Sequence, residues 1–360
     1  MLNGTATSVH STDTASTTIS TVNNADYAIR QTFQRYNYQS GKSQFILMTF
    51  ANFENEEDIT KKVGYYSTTT SAPYVSNNDG IHLESSPSGY SIEVNRSGTN
   101  VHSIDRADWD DPMDGNGASG VTIDFSMTQI FAFDFEWLGT GRIRFYWVID
   151  GMYVQFHAIN NANNEADVYM SSPNQPLRWE IRQSGASGGS FKVICASVNS
   201  EGAINLIGKV LSSNAGSNDL QFNGSGTTYA GIGIRLKSTH LDGVVKIIKF
   251  GYLSETNDRA LWELRLNPTV TGTFAYSPVT NSAVETSIGN QTGGAAPTVS
   301  GGTILSSGYI PQQSAIDLDL DSAIGIGVDI DGVRDEIVLC ITPINAGLDA
   351  FVEFTWIEFV

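Results

Sequence analysis

Basic residues are scarce in this sequence: 20 Lys and Arg stand against 38 Asp and Glu, a formal net charge of -18 over 360 residues. A field of that sign repels phosphate backbones and anionic headgroups alike, so nucleic acid is excluded as an expected partner. Long apolar runs are missing too. None reaches the roughly 18 residues of a membrane-spanning helix, so membrane insertion is not expected. The opening stretch MLNGTATSVHSTDTASTT has neither the basic region nor the apolar segment of a secretory leader, and synthesis in a cytoplasm is the expectation. Cysteine is nearly absent. Cys195 and Cys340 each sit in an apolar run, FKVICASV and EIVLCITP, and read as buried thiols rather than as a disulfide, which so large a core does not need.

Catalytic spacing is equally hard to find. His10, His82, His102, His157 and His240 show no H-x-H or HExxH arrangement, which leaves a zinc site unsupported. Gly41-Lys42-Ser43 has the ending of a phosphate-binding loop, but Tyr36 stands where the loop's first glycine belongs, and a strand-like run follows. No enzyme is expected, and no catalytic or cofactor-binding residue is assigned.

What the chain does have is the composition of strands and turns: 35 Gly, 40% apolar residues and only 16% charged ones. The clearest segment is Ile130 to Ala158, IFAFDFEWLGTGRIRFYWVIDGMYVQFHA. Phe131, Phe133, Phe135 and Trp137 recur at every second position, the period of a strand with one buried face. A second run places Ile143, Phe145 and Trp147 opposite Arg142 and Arg144. Asp150-Gly151 then supplies a type I′ hairpin signal. So much alternating aromatic area requires a second sheet to cover it. Further strands are expected near 44–53, 176–183, 190–198, 203–211, 228–237, 243–254 and 260–266, with a hairpin at Asn77-Asn78-Asp79-Gly80. The predicted class is all-β: a large antiparallel β-sandwich, jelly-roll or lectin-like, followed by a smaller C-terminal β-region. The expected divisions are a flexible Ser/Thr-rich arm over 1–24, the sandwich over 25–267, a Pro/Gly/Thr-rich linker over 268–300 and the C-terminal region over 301–360.

Several acidic groupings invite a chemical reading. Asp110, Asp111 and Asp114 lie in a tight glycine-rich stretch and form a candidate calcium site, although Pro112 and Val121 occupy positions that an EF-hand loop gives to ligands. Asp317, Asp319 and Asp321 share one strand face and read as solvated. Asp134 and Glu136 also share a face. They could serve a glycoside hydrolase as a carboxylate pair, or pair with Arg142 and Arg144 across the hairpin. Trp109, Trp147, Trp179 and Tyr153 could stack on a sugar if exposed. Near the C-terminus, Phe351, Phe354, Trp356, Ile357 and Phe359 load both faces of one strand with bulk. One face is expected on the chain's own sandwich and the other on a neighbouring subunit, which makes these residues a candidate assembly interface.

The blocks RQTFQRYNYQSGKSQFILMTFANF, NDGIHLES, EVNRSG, the run from DWDDPMDGNGASG through WLGTGRIRFYWVIDGMYVQFHAINNANN, PNQPLRWEIR and ICASVNSEG together resemble virion structural proteins of tailed bacteriophages and some large DNA viruses. The resemblance spans roughly 30–202. It implies a tail, fibre or capsid-associated virion component, assembled in the host cytoplasm with copies of itself, commonly as a trimer, and with other virion proteins. It carries over no catalytic residue. The alternative is a carbohydrate-binding, lectin-like module that meets host-surface glycan, and a third reading is a polysaccharide hydrolase using the acidic strand faces. Independently of these, Asp150→Ala with Gly151→Val should cost on the order of 1–3 kcal/mol of stability, because a type I′ turn needs positive φ at both positions. An unchanged melting temperature in the double variant would show that the hairpin is misplaced.

Overall fold

Strict alternation of bulky apolar and polar residues makes a strand two-faced, and two such faces hidden against each other make a sandwich. The chain, described by a computed structural model over 1–202, 208–217, 219–256, 258–289, 296–312 and 314–359, with the side chains of 321–323 left aside, builds this arrangement twice. It divides into two units, 1–205 and 206–360.

The first unit runs through β1 (Leu2–Asn3), β2 (Thr7–Ser11), β3 (Ser16–Thr21), β4 (Tyr27–Gln31), β5 (Gln44–Ala51), β6 (Ile59–Thr68) and β7 (Asn77–Ser86). It continues with β8 (Gly89–Arg96), β9 (Thr99–Asp105), β10 (Gln129–Phe135), β11 (Ile143–Ile149), β12 (Met152–Ile159), β13 (Leu177–Gln183) and β14 (Gly189–Ser200). Two seven-stranded antiparallel sheets result among the described residues, ordered β1-β4-β13-β6-β7-β8-β9 and β12-β11-β10-β5-β14-β3-β2. Phe131, Phe133, Phe135, Phe145 and Trp147 are fully buried between them, against Val63, Tyr65, Leu83 and Ile181 of the other sheet. Asp150 (φ 51°) and Gly151 (φ 78°) make the expected type I′ turn between β11 and β12. A bulge follows: Phe145 faces His157 while Tyr146 faces Gln155, so Phe156 is the extra residue. Phe156 enters the core, and Tyr153, before the bulge, stays outside.

The second unit holds β15 (Lys209–Asn214), β16 (Leu220–Phe222), β17 (Tyr229–Leu236), β18 (Val244–Ser254), β19 (Ala260–Leu266), β20 (Thr269–Thr271) and β21 (Ser277–Pro278). Then come β22 (Val284–Ile288), β23 (Thr298–Ser300), β24 (Thr303–Ile310), β25 (Ala315–Ile326), β26 (Glu336–Pro343) and β27 (Leu348–Phe359). One sheet is ordered β15-β27-β18-β25, with β16 also on β27. The other is ordered β20-β23-β17-β26-β19-β24, with β22 on β17 and β21 on β22. Ile232 and Leu339 from one sheet and Phe250, Phe354 and Trp356 from the other close this core.

Most strands between residues 44 and 266 were legible, but their grouping was not. The fold is all-β and sandwich-like as expected, yet β17 to β19 pair with strands beyond residue 300, so the boundary lies near 205 rather than 267. Antiparallel partners can be remote in sequence, and strand spacing says nothing about which sandwich a strand joins. The expected linker supplies β20 to β23. The expected flexible arm supplies β2 and β3, with Ser16, Thr17, Ile19 and Thr21 buried and β3 paired with β14. Asp26 ties this edge down. It accepts from the Thr5 hydroxyl at 2.6 Å and from the backbone N–H groups of Thr5, Val22 and Asn23. The Asn-Asn-Asp-Gly signal lies inside β7, where Gly80 lets Tyr66 of β6 approach within a space that a Cβ would fill. Of the expected strand at 203–211, residues 203–207 lie outside the described residues. Cys340 is buried as expected, Cys195 is exposed, and both are free thiols.

The C-terminal strand requires a further correction. β27 lies between β15 and β18 in its own sheet, with Phe354 and Trp356 wholly inside the core. Ile357 and Phe359 are buried on the opposite face with Val244, and Phe351 is partly buried. Ile357 and Phe359 therefore find cover within one chain, while Phe351 on the same face stays partly exposed.

On the side of β13 away from the core, Arg178 and Glu180 are buried, with Nη2 of Arg178 2.6 Å from Oε2 of Glu180. Arg182 pairs with the other carboxylate oxygen. Burial alone would raise the Glu180 carboxyl, but the two guanidinium groups overcome it and hold it at about 2, below its ordinary 4.5. Because the folded value is depressed, this ion pair stabilises fully above about pH 4.5 and its contribution is lost as pH falls towards 2. Glu180→Ala should cost about 3–5 kcal/mol, since it leaves a buried arginine uncompensated. Glu180→Gln should flatten the decline in melting temperature between those pH values, and parallel pH profiles for variant and wild type would refute the assignment.

Candidate functional site

The outward face of β5, β10, β11 and β12 departs from the rule that an exposed sheet face is polar. Alternation that sends Ile46, Phe133 and Phe145 inward sends Phe45, Leu47, Tyr146 and Val148 outward. Register aligns Phe45 with Asp134 and Arg144, and Leu47 with Ala132 and Tyr146. Ala132 contributes only a methyl group at the centre and is wholly covered. The rings of Phe45 and Tyr153 approach to 5.2 Å between centroids, and each lies 6.2 Å from Tyr146. All three pairs meet edge to face, the arrangement that ring quadrupoles favour. Tyr153 is 53% exposed, and Met152 beside it is 69% exposed.

A polar margin adjoins the rings. Arg144 Nε donates to Asp134 Oδ1 at 2.9 Å, and its Nη2 bonds the second carboxylate oxygen. This is the cross-hairpin pair expected from sequence. Asp134 is buried and fully engaged with one arginine, whereas Glu136 is exposed beyond the end of β10. Burial first, and then the Asp134 carboxylate, push the Tyr146 hydroxyl upward, so it is a neutral donor at physiological pH. The surface thus offers apolar ring area, a phenol donor and a guanidinium side by side.

Of the four residues singled out for stacking, only Tyr153 is available: Trp109, Trp147 and Trp179 are 3%, 0% and 8% exposed and belong to the core. Large rings at strand positions bury the most apolar area, and that use takes precedence. Phe45 and Tyr146 were missed. The signal for Phe45 was present in QFILMTFANF, which is apolar on both strand faces.

The acidic loop is a hydrogen-bonded turn. Asp111 is buried and accepts from the backbone N–H groups of Met113 at 2.9 Å and Ser119 at 2.7 Å. Asp114 accepts from the Asn116 N–H at 2.9 Å, while Asp110 turns to the Ala158 N–H at 3.0 Å. These donors neutralise the carboxylates that a cation would otherwise hold. Against the upward push of burial they lower the Asp111 carboxyl. No metal-holding group of three His, Cys, Asp or Glu occurs among the described residues. Asp317 and Asp319 are exposed, Asp317 pairing with Lys249 at 2.5 Å, and the side chain of Asp321 lies outside the described residues. Melting curves recorded with calcium and with a chelator should coincide, and a rise with calcium that Asp111→Asn abolishes would restore the calcium site.

No family model matches the chain, and no curated protein matches it. Among solved structures, the carbohydrate recognition domain of Emp47p is 10% identical, with a TM-score of 0.34, covering 55% of this chain and 86% of that one. The exoplasmic/lumenal domain of VIP36, in a form bound to Ca2+ and mannose, is 10% identical with a TM-score of 0.35, covering 56% and 84%. The endo-beta-1,4-glucuronan lyase of Trichoderma reesei is 8% identical with a TM-score of 0.36, covering 55% and 90%. Overlaps this small carry no functional argument, and what those proteins bind or cleave is said of them alone.

Proposed function

We propose that the first unit is a carbohydrate-binding module without catalytic turnover, and that Phe45, Tyr146 and Tyr153 form its contact surface. The observation that carries this reading is the convergence of three rings on a solvent-facing sheet. A pyranose presents a flat C–H face that covers such rings, and hydroxyls at its rim that reach Arg144 and the Tyr146 phenol. A contiguous apolar patch rimmed by polar groups is the usual mark of an interaction site. The net charge of -18 favours a neutral glycan over an acidic one. Turnover is not proposed, because Asp134 is already held by Arg144 and Glu136 faces open solvent.

A second reading concerns where the module is mounted. The sequence resemblance over 30–202 supports a virion component assembled with copies of itself and other virion proteins, so that the aromatic surface would meet a host glycan. A glycan array probed with the purified chain should retain neutral glycans. Tyr153→Ala, at an exposed position, should leave the fold intact and weaken binding at least about tenfold, or about 1.4 kcal/mol. An array with no neutral glycan retained, or an unchanged affinity in the variant, would defeat the proposal. Release of reducing ends from bound glycan, abolished by Asp134→Asn, would replace it with the hydrolase reading.

A further inference from the structure

The stretch 268–276 follows β19 and crosses the outside of β17, and beneath it lies a pocket of about 370 Å³. Val270, Phe274 and Tyr276 come from this stretch, Arg235 from β17 and Glu336 from the start of β26. Gly233 makes the seat possible: a Cβ there would stand 2.3 Å from the Tyr276 hydroxyl and 2.7 Å from the Phe274 ring. Phe274 and Tyr276 meet edge to face at 5.7 Å, and the Arg235 guanidinium carbon lies 3.9 Å from the centre of the Tyr276 ring.

The polar groups are held but not exhausted. Glu285 accepts from Arg235 Nε at 2.6 Å and from Arg334 Nη1 at 2.9 Å, which fixes the guanidinium plane through its inner edge. Its Nη1 lies 3.8 Å from Glu336 Oε2, beyond hydrogen-bond reach. The Tyr276 hydroxyl is buried with no partner in good hydrogen-bond geometry among the described residues, but it lies close enough to the Glu336 carboxylate to lower that carboxyl against the upward push of burial, so Glu336 is flanked by a phenol as well as by Arg235. Two arginines and two glutamates cancel, so the pocket carries no net charge. A donor edge and an acceptor set slightly too far apart to bond each other suit an oxygen that both accepts and donates, which is a ligand hydroxyl. Glu336 disfavours an anion in this place, and Arg235 disfavours a cation.

We infer that this pocket is a second ligand site, built to take a neutral polyhydroxylated ring of monosaccharide size, with Arg235 and Glu336 bridged by its hydroxyls and Phe274 against its C–H face. The inference stands on the second unit alone and does not depend on the aromatic surface of the first. Saturation-transfer NMR on the full chain, with D-glucose, D-galactose and D-mannose as probes and acetate and glycine as competitors, tests it. At least one hexose should give signals, these should survive in the Tyr146→Ala/Tyr153→Ala variant, and neither competitor should displace it. Glu336→Gln, and Ala275→Trp at the exposed rim, should each weaken that hexose at least tenfold. Absence of hexose signals would overturn the inference, as would their loss in the first-unit variant with retention in both pocket variants. Displacement by acetate or glycine would mean that the ligand class is wrong. Two pocket variants of different character, one nearly isosteric and one on the surface, separate loss of binding from loss of folding.

Discussion

Burial of the rings of β10 and β11 between two sheets is the constraint on which the first unit depends. Phe131, Phe133, Phe135, Phe145 and Trp147 are completely covered, and removing one such ring typically costs about 3–5 kcal/mol. With that set turned inward, a strand's period of two leaves no choice for the residues between them. Phe45, Tyr146 and the Arg144–Asp134 pair face outward because their neighbours face inward, so the candidate glycan surface is the reverse side of the core.

The polar interior follows a different logic. Arg178 with Glu180, and Glu358 with the Trp356 indole and the Ala283 N–H, are buried charges supplied with partners rather than avoided. Removing one partner of such a set leaves the other stranded, which makes these groups specific anchors for their strands even where their net stabilisation is small. The turn around Asp111 works in the same way with backbone donors, which supply partners to the aspartates concentrated there.

Both candidate sites combine residues that sequence distance conceals. The aromatic surface joins positions 45, 146 and 153, and the pocket joins 235, 274, 276 and 336. In the second case the stretch that composition marks as a linker forms a wall. Glycine and proline make weak strand signals, yet short strands such as β20 and β21 need only a few paired residues to be held.

Legible in the sequence alone was the local order: an all-β chain, the strands β5, β13, β14, β17, β18 and β19 to within a residue or two, the Asp150-Gly151 turn, and the inward identity of the β10 and β11 rings. Those features depend on neighbours one to four residues apart, where side-chain period and turn dihedrals act directly. Tertiary packing settled which strands share a sheet, that β3 of the expected arm pairs with β14, that the two units part near residue 205, and that Ile357 and Phe359 on the second face of β27 are buried within the chain. The bulge at Phe156 was also settled there, whereas the outward side of Tyr153 follows from the two-residue turn that pairs it with Val148. Strand pairing here joins segments more than a hundred residues apart through backbone hydrogen bonds that every residue type but proline can both donate and accept, so composition and periodicity carry almost no information about it.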